Sequence, residues 1–426
     1  MTGVLAALVH VYQFWKMRGW LPSPFVFDVN DTFMDWFNTA YWAHNPGAYD
    51  VWGSVYAPLS FVFLRFVGLP TCYRSNPFDA RDCDWLGIST LLAVYAACAV
   101  VAAIAFWKAD KRTAVFRGVA FGVGLPLLYS LERGNVILVA FFFFALIFGE
   151  VVKSRRWVAL SAAMIINFKS YLLFPVMALA IRRQWRLLEL CGIATILIYL
   201  ITLMIYGSGT PGELYYNLKT WFRLVSSNVW DQVYYSTSYA PFLEFDSKQY
   251  PVRDFIEQRY VDVVKVVIPA AIYLTRGLCL LTLLTAWFHP DVLSKHRLAF
   301  LTLMQAFVAQ SPGGYGQIFI TFLVFLEPWK NWRTGTALVF AYLLSMPIDH
   351  VIGNFYTYER SAWLSGRIAD TAYGISLGAI IRPGMLLILT WMIVLDSLAE
   401  IWRVARDRRP IVGLGAPATR PIVAQG

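Results

Sequence analysis

Three aspartates stand close together near the start of the chain, in the stretch VFDVNDTFMDWFNTAYW from Val26 to Trp42. Asn30 is a suitable cap for a helix beginning at Asp31, and on that helix Asp31 and Asp35 are neighbours. Mutual repulsion and partial desolvation raise the pKa of one carboxylate in such a pair, which suits a general base. The pattern is equally typical of a solvated helix face with an acid at its N-terminus. The sequence pattern leaves both interpretations open.

The same predicted helix carries two parallel stripes. Its polar stripe continues from the acids to Asn38 and Trp42, and an apolar stripe of aromatic residues runs beside it. This amphipathic pattern predicts a helix lying along a membrane interface. The aromatic residues Trp52 and Tyr56 follow shortly after and are expected near the acids.

Composition places these residues in a membrane protein. The chain has 426 residues, of which 58% are hydrophobic and 15% are charged, whereas a soluble domain is about 25% charged. Its net charge of +10 lies in short basic tufts between apolar runs, with no nucleic-acid motif. Inner loops of membrane proteins collect Lys and Arg in this way, and anionic lipid headgroups are their expected partners. The tufts lie at 108–112, 153–156, 182–186, 295–297, 330–333 and 403–409.

With the tufts fixed on the cytoplasmic side, three hairpins are predicted between them. Their apices fall at Glu132-Arg133, at Lys169 and at Gly313-Gly314. The last two hairpins are too short for two full spans of about 20 residues each, so their apices are expected below the outer surface, in a lined cavity. A lysine at that depth is a functional-site hypothesis, although Lys169 snorkelling to the interface is the alternative.

The whole chain is therefore predicted to be an all-α, multi-pass protein of the inner or plasma membrane. We expect 10–12 membrane segments, some of them half-length, in a single domain over residues 1–409. The extracytoplasmic loops, with their interfacial helices, are predicted at 22–84, 207–261 and 348–372, and residues 410–426 are predicted to form a disordered cytoplasmic tail. The first apolar segment, 2–15, is too short for an ordinary span.

Two of the five cysteines, Cys72 and Cys83, lie in one predicted outer loop. An oxidising compartment would allow a disulfide between them, and two free thiols are the open alternative. Cys/His spacing typical of a zinc site is absent from the sequence.

The order of motifs resembles the GT-C superfamily of membrane glycosyltransferases, and within it the polyprenyl-phosphate-mannose-dependent family that includes the phosphatidylinositol-mannoside mannosyltransferases. An acid in the first loop is followed by YAPLSFVFL from Tyr56, by the pair Gly134-Asn135, by INFKSYLLFPVMALAIRRQWR around Lys169, and by Ser311-Pro312. The sequence departs from that pattern in having Ala57 in place of a proline, in lacking Pro-x-Pro after the lysine, and in having Gln317 near the place of a histidine.

The resemblance implies transfer of a sugar, mannose or another hexose or pentose, from a polyprenyl-phosphate-linked donor to a glycan or glycolipid acceptor. The transfer would occur on the extracytoplasmic face with inversion and without a cofactor. The resemblance does not require a metal, and a divalent metal held by the aspartates is the open alternative. Asp35, backed by Asp31, is the predicted base, and cations must stabilise the leaving phosphate. Arg133 and Lys169 are the main donor-phosphate candidates, and His350 and Arg360 are weaker ones. The candidates for stacking on sugars are Trp52, Tyr56, Trp221 and Tyr235.

Two other functions compete with this prediction. A transporter or lipid flippase would use the acids and Lys169 as contacts along a path through the membrane. A polysaccharide polymerase or ligase would also act on the outer face, but it would place its essential basic groups in one large outer loop.

Overall fold

A computed structural model of the chain describes residues 1–25, 28–225, 238–239, 257–308 and 314–407, with the side chains of 221–225, 352–358 and 370–375 excepted. Tyr235, Ser311-Pro312 and the tail 410–426 therefore lie outside the described residues, and of Trp221 only the backbone is described.

The first half of the chain is a succession of helices. They are α1 (Thr2–Arg18), α2 (Met34–His44), α3 (Pro58–Val67), α4 (Pro77–Cys83), α5 (Trp85–Ala109), α6 (Ala114–Gly122), α7 (Leu125–Arg133), α8 (Ile137–Phe148) and α9 (Arg155–Phe168). The second half continues with α10 (Leu173–Val176), α11 (Ala178–Ile181), α12 (Trp185–Tyr206), α13 (Pro211–Val225), α14 (Gln258–Phe288), α15 (Lys295–Phe307), α16 (Gln317–Phe325), α17 (Trp332–Leu344), strands β1 (Val351–Ser361) and β2 (Ile368–Ser376), and α18 (Leu377–Asp407). Short 3-10 turns occur at Pro70–Cys72, Ser170–Leu172 and Gly314–Gly316.

Length and hydropathy make five of the described helical segments able to cross a membrane. They are Trp85–Ala109, Ala114–Arg133, Trp185–Tyr206, Gln258–Phe288 and Leu377–Asp407. Charged residues are scarce in each, and the lipid-facing sides of α5 and α12 are largely exposed in the isolated chain. The prediction of a mostly helical membrane protein is therefore confirmed.

Two of the three predicted hairpins have described turns, and several of the helices that form them are short. α8 has 12 residues and α9 has 14, so each falls short of the about 20 residues that a full span requires. The turn between α7 and α8 lies at Gly134, and α9 ends at Phe168, one residue before Lys169. Both turns lie where the charge pattern predicts them. The third hairpin joins α15 to α16 across residues 309–313, which are not described.

An aromatic core holds the short helices together. Phe144 of α8 packs on Phe319 of α16 with ring centroids 4.8 Å apart, and Phe141 meets Phe322 at 5.2 Å. Phe106 of α5 lies 5.5 Å from Phe322. Burying such rings contributes about 1.5–3 kcal/mol each, so this cluster fixes α8 against α5 and α16.

The prediction of an all-α fold is wrong at one place, the third predicted outer loop. Strands β1 and β2 form an antiparallel hairpin in which Arg360 pairs with Ala369 and Thr357 with Ala372. The two strands are rich in β-branched and aromatic residues, which favour strands, and Gly366 with φ 68° lies in the turn between them. The hairpin extends to Ser376, so α18 begins at Leu377 and not at the predicted residue 373.

The first acidic helix also differs from its prediction. It begins at Met34, and Asp31 precedes it, because Phe33 adopts a left-handed conformation and donates its N–H to the Glu132 carbonyl at 2.7 Å. Asn30 does not cap the helix, since its side-chain oxygen accepts from Arg81 at 3.0 Å. Trp36 and Phe37 are fully buried, so α2 packs inside the protein and does not lie along an interface.

Cys72 and Cys83 form a disulfide, with Cα atoms 5.5 Å apart. The sequence left this pairing open. The bond closes the loop that leads from α3 into α4, and α4 in turn packs on α2.

Candidate functional site

The turn between α7 and α8 sets up the site. Gly134 takes φ 65°, and a Cβ atom there would lie 2.8 Å from the carbonyl oxygen of Phe33. Only glycine therefore allows the turn to approach the loop that carries the acids. Asn135 follows, fully buried, and its side-chain oxygen accepts from the Ile137 N–H at 3.0 Å at the start of α8. The turn thus presents Arg133 on one side of Gly134 and Asn135 on the other.

Both predicted acids bind the guanidinium of Arg133. Nη1 of Arg133 donates to Asp31 Oδ2, and Nη2 donates to Asp35 Oδ1 at 2.9 Å. The second oxygen of Asp35 accepts from the Asn135 amide at 2.8 Å. Asp35 is therefore held in one orientation by two donors from the same turn. A carboxylate has about four lone-pair sites, so Asp35 retains capacity to accept a further proton or hydrogen bond.

The surroundings of Asp31 favour its protonated form. Burial raises its pKa above the ordinary value of 3.8, and the nearby Asp35 and Asp28 carboxylates act in the same direction. The Arg133 charge opposes this shift without cancelling it. Asp31 therefore gains a proton more readily than a solvated aspartate does.

Lys169 approaches the acids from the end of α9. Its ammonium lies 4.2 Å from the ring centroid of Tyr56 and 5.6 Å from that of Tyr315, so two aromatic faces flank the charge. Asp35 acts electrostatically on Lys169, but no described carboxylate forms an ion pair with it. Lys169 therefore points into the cluster of Asp31, Asp35, Arg133, Asn135, Tyr56 and Tyr315, which together with Lys169 we call the Asp35 cluster.

An aromatic ladder leads away from this cluster. Tyr56 stacks on Trp52 with centroids 6.1 Å apart and planes inclined by 25°, and Trp52 stacks on Trp42 at 6.3 Å. Trp52 is 36% exposed, so the ladder runs from the buried cluster to the surface. Flat rings of this kind suit the apolar faces of sugars.

Glu132 lies beside the cluster without an ion pair among the described residues. Its Oε1 accepts from the Thr32 hydroxyl at 3.2 Å, and its Oε2 is buried without a hydrogen-bond partner in the described part of the chain. Its backbone carbonyl accepts from the Phe33 N–H at 2.7 Å, so Glu132 helps to hold the loop that carries the acids.

The structure brings together most of the predicted site residues, but not all. Asp31, Asp35, Arg133, Lys169, Tyr56 and Trp52 lie in or beside the Asp35 cluster. Arg360 lies at its rim, where it binds Asp28, the carboxylate that acts on Asp31. His350 is exposed, and its backbone carbonyl accepts from Leu377 at 2.9 Å. None of the described contacts joins His350 to the cluster.

Sequence reasoning missed two members of the site. Asn135 was recognised only as part of a Gly-Asn motif, and its hydrogen bond to Asp35 was not anticipated. Tyr315 lies in the third apex, QSPGGYGQ. The glycines and the proline of this stretch predicted a turn, and its single aromatic residue was not predicted to belong to the site. The signal for both was their position at predicted apices.

Metal binding has no clear support in this arrangement. Within the described ranges, no group of three or more His, Cys, Asp or Glu side chains is placed to hold a metal ion. The absence of a metal requirement stays a prediction.

Comparison of the chain with known protein families, with curated proteins and with solved structures finds no match. The chemistry of the site therefore has to be argued from its own geometry.

Proposed function

We propose that this protein is an inverting membrane glycosyltransferase of the GT-C type. It would move a mannose, or another hexose or pentose, from a polyprenyl-phosphate-linked donor to a hydroxyl of a glycan or glycolipid acceptor. The reaction would occur at the end of the helical bundle that carries the Asp35 cluster, facing the periplasm or cell exterior.

One observation carries the proposal. Asp35, Arg133, Lys169 and Tyr56 come from four separate chain segments and converge at one place. Sugar transfer from a lipid phosphate requires a base and a cation, for which a partly buried acid and a lysine without a direct carboxylate partner are suitable, and the stacked aromatic rings offer a surface for the sugar. The resemblance of the motif order to the GT-C superfamily points to the same chemistry.

The proton is assigned to Asp35. The acceptor hydroxyl attacks the anomeric carbon of the donor while Asp35 takes its proton, and the bond from that carbon to the phosphate oxygen breaks. A single displacement inverts the anomeric configuration. Arg133 and Asn135 fix the two oxygens of Asp35, so the base is oriented before the substrates arrive.

Lys169 is assigned the role of stabilising the negative charge on the leaving phosphate. Arg133 donates to two carboxylates, whereas the Lys169 ammonium lies over the rings of Tyr56 and Tyr315 and forms no ion pair with a carboxylate of the described residues. The Lys169 charge is therefore the one that negative charge on the polyprenyl phosphate would meet. This geometry favours a positioning role for Arg133 over the phosphate contact predicted from the sequence, and Arg360 could add a contact only at the rim.

Sidedness is supported by two independent features. The disulfide Cys72–Cys83 lies in the same predicted outer loop as the acids, and disulfides persist in oxidising compartments. The basic tufts at 153–156 and 182–186 lie at the opposite ends of the hairpin helices, as in cytoplasmic loops.

The test is transfer by the purified protein in lipid nanodiscs, with a polyprenyl-phosphate sugar and candidate acceptors. Asp35→Asn keeps the size of the side chain and one of its two acceptor atoms, loses one of the two hydrogen bonds from Arg133 and Asn135, and cannot take a proton, and we expect its kcat to fall by about 10²–10⁴. Lys169→Ala is expected to lower kcat/KM by about 10²–10³, with partial recovery in Lys169→Arg. Asp50→Asn, an exposed acid of the same loop, is the matched control and should leave transfer unchanged.

Two outcomes would redirect the proposal. Undiminished transfer by Asp35→Asn would show that Asp35 is not the base. Movement of the lipid-linked sugar across the bilayer without formation of a glycosidic bond would favour the transporter, in which the same buried charges would be substrate contacts.

A further inference from the structure

A second site candidate lies at the other end of the hairpin helices. A half-open cavity of about 780 Å³ lies between the loop after α8, the start of α9, the segment that leads into α12, and the start of α15. Its volume is within the range of small-molecule sites, about 300–1,000 Å³. The charged residues that line it are Glu150, Lys153, Arg155, Arg183, Arg186 and Lys295.

The charge in this cavity is one-sided. Five basic side chains face a single carboxylate, and none of the five forms an ion pair with a carboxylate in the part of the chain that the structure describes. Like charges that share one cavity repel each other, and an anion placed among them relieves that repulsion. Guanidinium groups such as those of Arg155 and Arg186 bind phosphoryl oxygens through paired hydrogen bonds.

The backbone adds to the same electrostatics. α9 begins at Arg155, α12 at Trp185 and α15 at Lys295, so three helices have their positive ends at this cavity. The caps of α9 and α12 make no side-chain hydrogen bond to the first turn, whereas Ser294 caps α15 by accepting from Arg297 at 3.3 Å. Free N–H groups at two of the three starts are further donors for an anion.

The walls of the cavity are held in place. Glu150 and Arg183 have φ angles of 51° and 55°, a conformation that is costly for residues other than glycine and persists where surrounding contacts enforce it. Lys108 donates to the carbonyls of Glu150 and Val151 at 3.2 and 3.3 Å, and Arg183 donates to the Trp287 carbonyl at 3.2 Å. The loops are thus fastened from the sides.

This cavity is distinct from the Asp35 cluster. α8 and α9 connect the two places, since each runs between the cluster at one end and the cavity at the other. With 12 and 14 residues, these helices separate the sites by about 18–21 Å. The cavity therefore does not belong to the site of the proposed transfer, and the inference drawn from it does not rest on the proposed function.

We infer that this cavity binds a ligand that carries two or more phosphoryl oxyanions, either a soluble diphosphate group or the headgroup region of an anionic phospholipid. Trp185, 51% exposed at the rim and in contact with Trp287 at 5.8 Å, gives the cavity an aromatic border of the kind found at membrane surfaces. Arg155, Arg186 and Lys295 are the expected phosphoryl contacts.

The test uses the full chain in phosphatidylcholine nanodiscs, titrated calorimetrically with inorganic diphosphate at physiological salt. A double variant, Arg155→Gln with Arg186→Gln, removes two cavity charges that make no described hydrogen bond of their own. Lys111→Gln with Arg112→Gln removes two exposed charges from the same end of the bundle, outside the cavity. We expect saturable binding that the first variant weakens at least about tenfold and the second changes less than about twofold.

A lipid arm distinguishes the two sources of phosphate. Native mass spectrometry of the detergent-purified protein should retain cardiolipin, which carries two phosphodiesters, in preference to phosphatidylcholine if the ligand is a headgroup, and diphosphate should displace it. Diphosphate binding without lipid retention assigns the cavity to a soluble ligand. Failure to bind either probe, or an equal loss in both double variants, would overturn the inference, because diffuse attraction to a basic surface would then explain the data.

Discussion

The Asp35 carboxylate combines two properties that seldom occur together, fixed orientation and spare acceptor capacity. Arg133 and Asn135 each occupy one of its oxygens, and both belong to the turn that Gly134 makes. As the base of the proposed transfer, Asp35 would lose little freedom when an acceptor hydroxyl arrives. In that reaction Asn135 would be a positioning residue, since it would act through Asp35.

Asn135→Ser tests this positioning role. The serine hydroxyl can still accept from the Ile137 N–H and cap α8, but it is too short to reach Asp35. We expect unchanged thermal stability, a kcat of sugar transfer reduced about 10–100-fold, and an unchanged KM for the acceptor. Asn135→Ala should lose the same activity and, in addition, about 1 kcal/mol of stability. Equal activity in Asn135→Ser and the parent would contradict the role.

Asp31 gives a prediction about pH. Since burial raises its pKa above 3.8, the folded protein takes up this proton at a higher pH than the unfolded chain does. The free energy of unfolding therefore rises as the pH falls from neutral through the raised pKa of Asp31 in the folded protein. The rise ends once the pH is below the pKa of Asp31 in the unfolded chain. The test compares the melting temperatures of the parent protein and of Asp31→Asn in detergent. The parent's melting temperature should rise relative to that of the variant as the pH is lowered from 7 to 4. A shift in the opposite direction would mean that the pairing with Arg133 outweighs burial.

At the scale of elements, the turn between α7 and α8 is the part that the site depends on most. Arg133 and Asn135, which bind the acids, lie on either side of Gly134 in this turn. The backbone of Phe33 packs directly against Gly134. Backbone cannot move aside as a flexible side chain can. A methyl group there must displace either the turn or the start of α2.

Gly134→Ala is accordingly predicted to be damaging. The left-handed conformation and the 2.8 Å contact with the Phe33 carbonyl together should lower stability by about 1–3 kcal/mol and reduce transfer activity. Gly277→Ala is the control, because Gly277 lies inside α14 with open space around it and alanine favours a helix. Thermal unfolding of both variants checks the difference. A Gly134→Ala protein as stable and active as the control would show that the turn is not constrained.

The elements that the sequence predicted correctly are those set by charge and length. The basic tufts bracket α8 and α9, so the apices at Gly134 and Lys169 follow from counting residues. The start of α2 was missed because Phe33 is held by the Glu132 carbonyl, a contact almost a hundred residues away that no local pattern reveals. The β-hairpin was missed because most of the segment from Val351 to Ser376 was interpreted as an outer loop, although it is rich in residues that favour strands.

The candidate site was predictable in part for the same reason. Asp35, Arg133 and Lys169 are charged residues in an apolar chain, so they stand out, and their common side follows from the topology. Asn135 and Tyr315 carry no charge, and their place in the site depends on how the apices pack together. Neutral polar partners of a buried charge are the residues that sequence reasoning identifies least well.

At the scale of the whole molecule, a buried ion-pair network fastens the basic end of the bundle. Arg297 at the start of α15 contacts Glu327 after α16, and it contacts Asp396 and Glu400 of α18 at 3.1 and 2.9 Å. Arg297, Glu327 and Asp396 are each at most 3% exposed. The network therefore joins the third hairpin to the last long helix. It also holds the start of α15, where Lys295 lines the basic cavity described above.

Arg297→Met tests how far the bundle relies on this network. The substitution keeps an apolar stem but leaves Glu327 with only His296 at 3.1 Å and Asp396 with only Arg333 at 4.0 Å among the described basic side chains. Removal of one partner of a buried pair costs about 3–5 kcal/mol. Arg259→Met is the matched control, since the Arg259–Glu257 pair is 68% exposed on both sides and such pairs contribute about 0–1 kcal/mol. Denaturant unfolding in detergent should therefore separate the two variants clearly. If Arg297→Met unfolded like Arg259→Met, the carboxylates would have to be neutral or hydrated in the native protein, and the bundle would be held by its aromatic core alone.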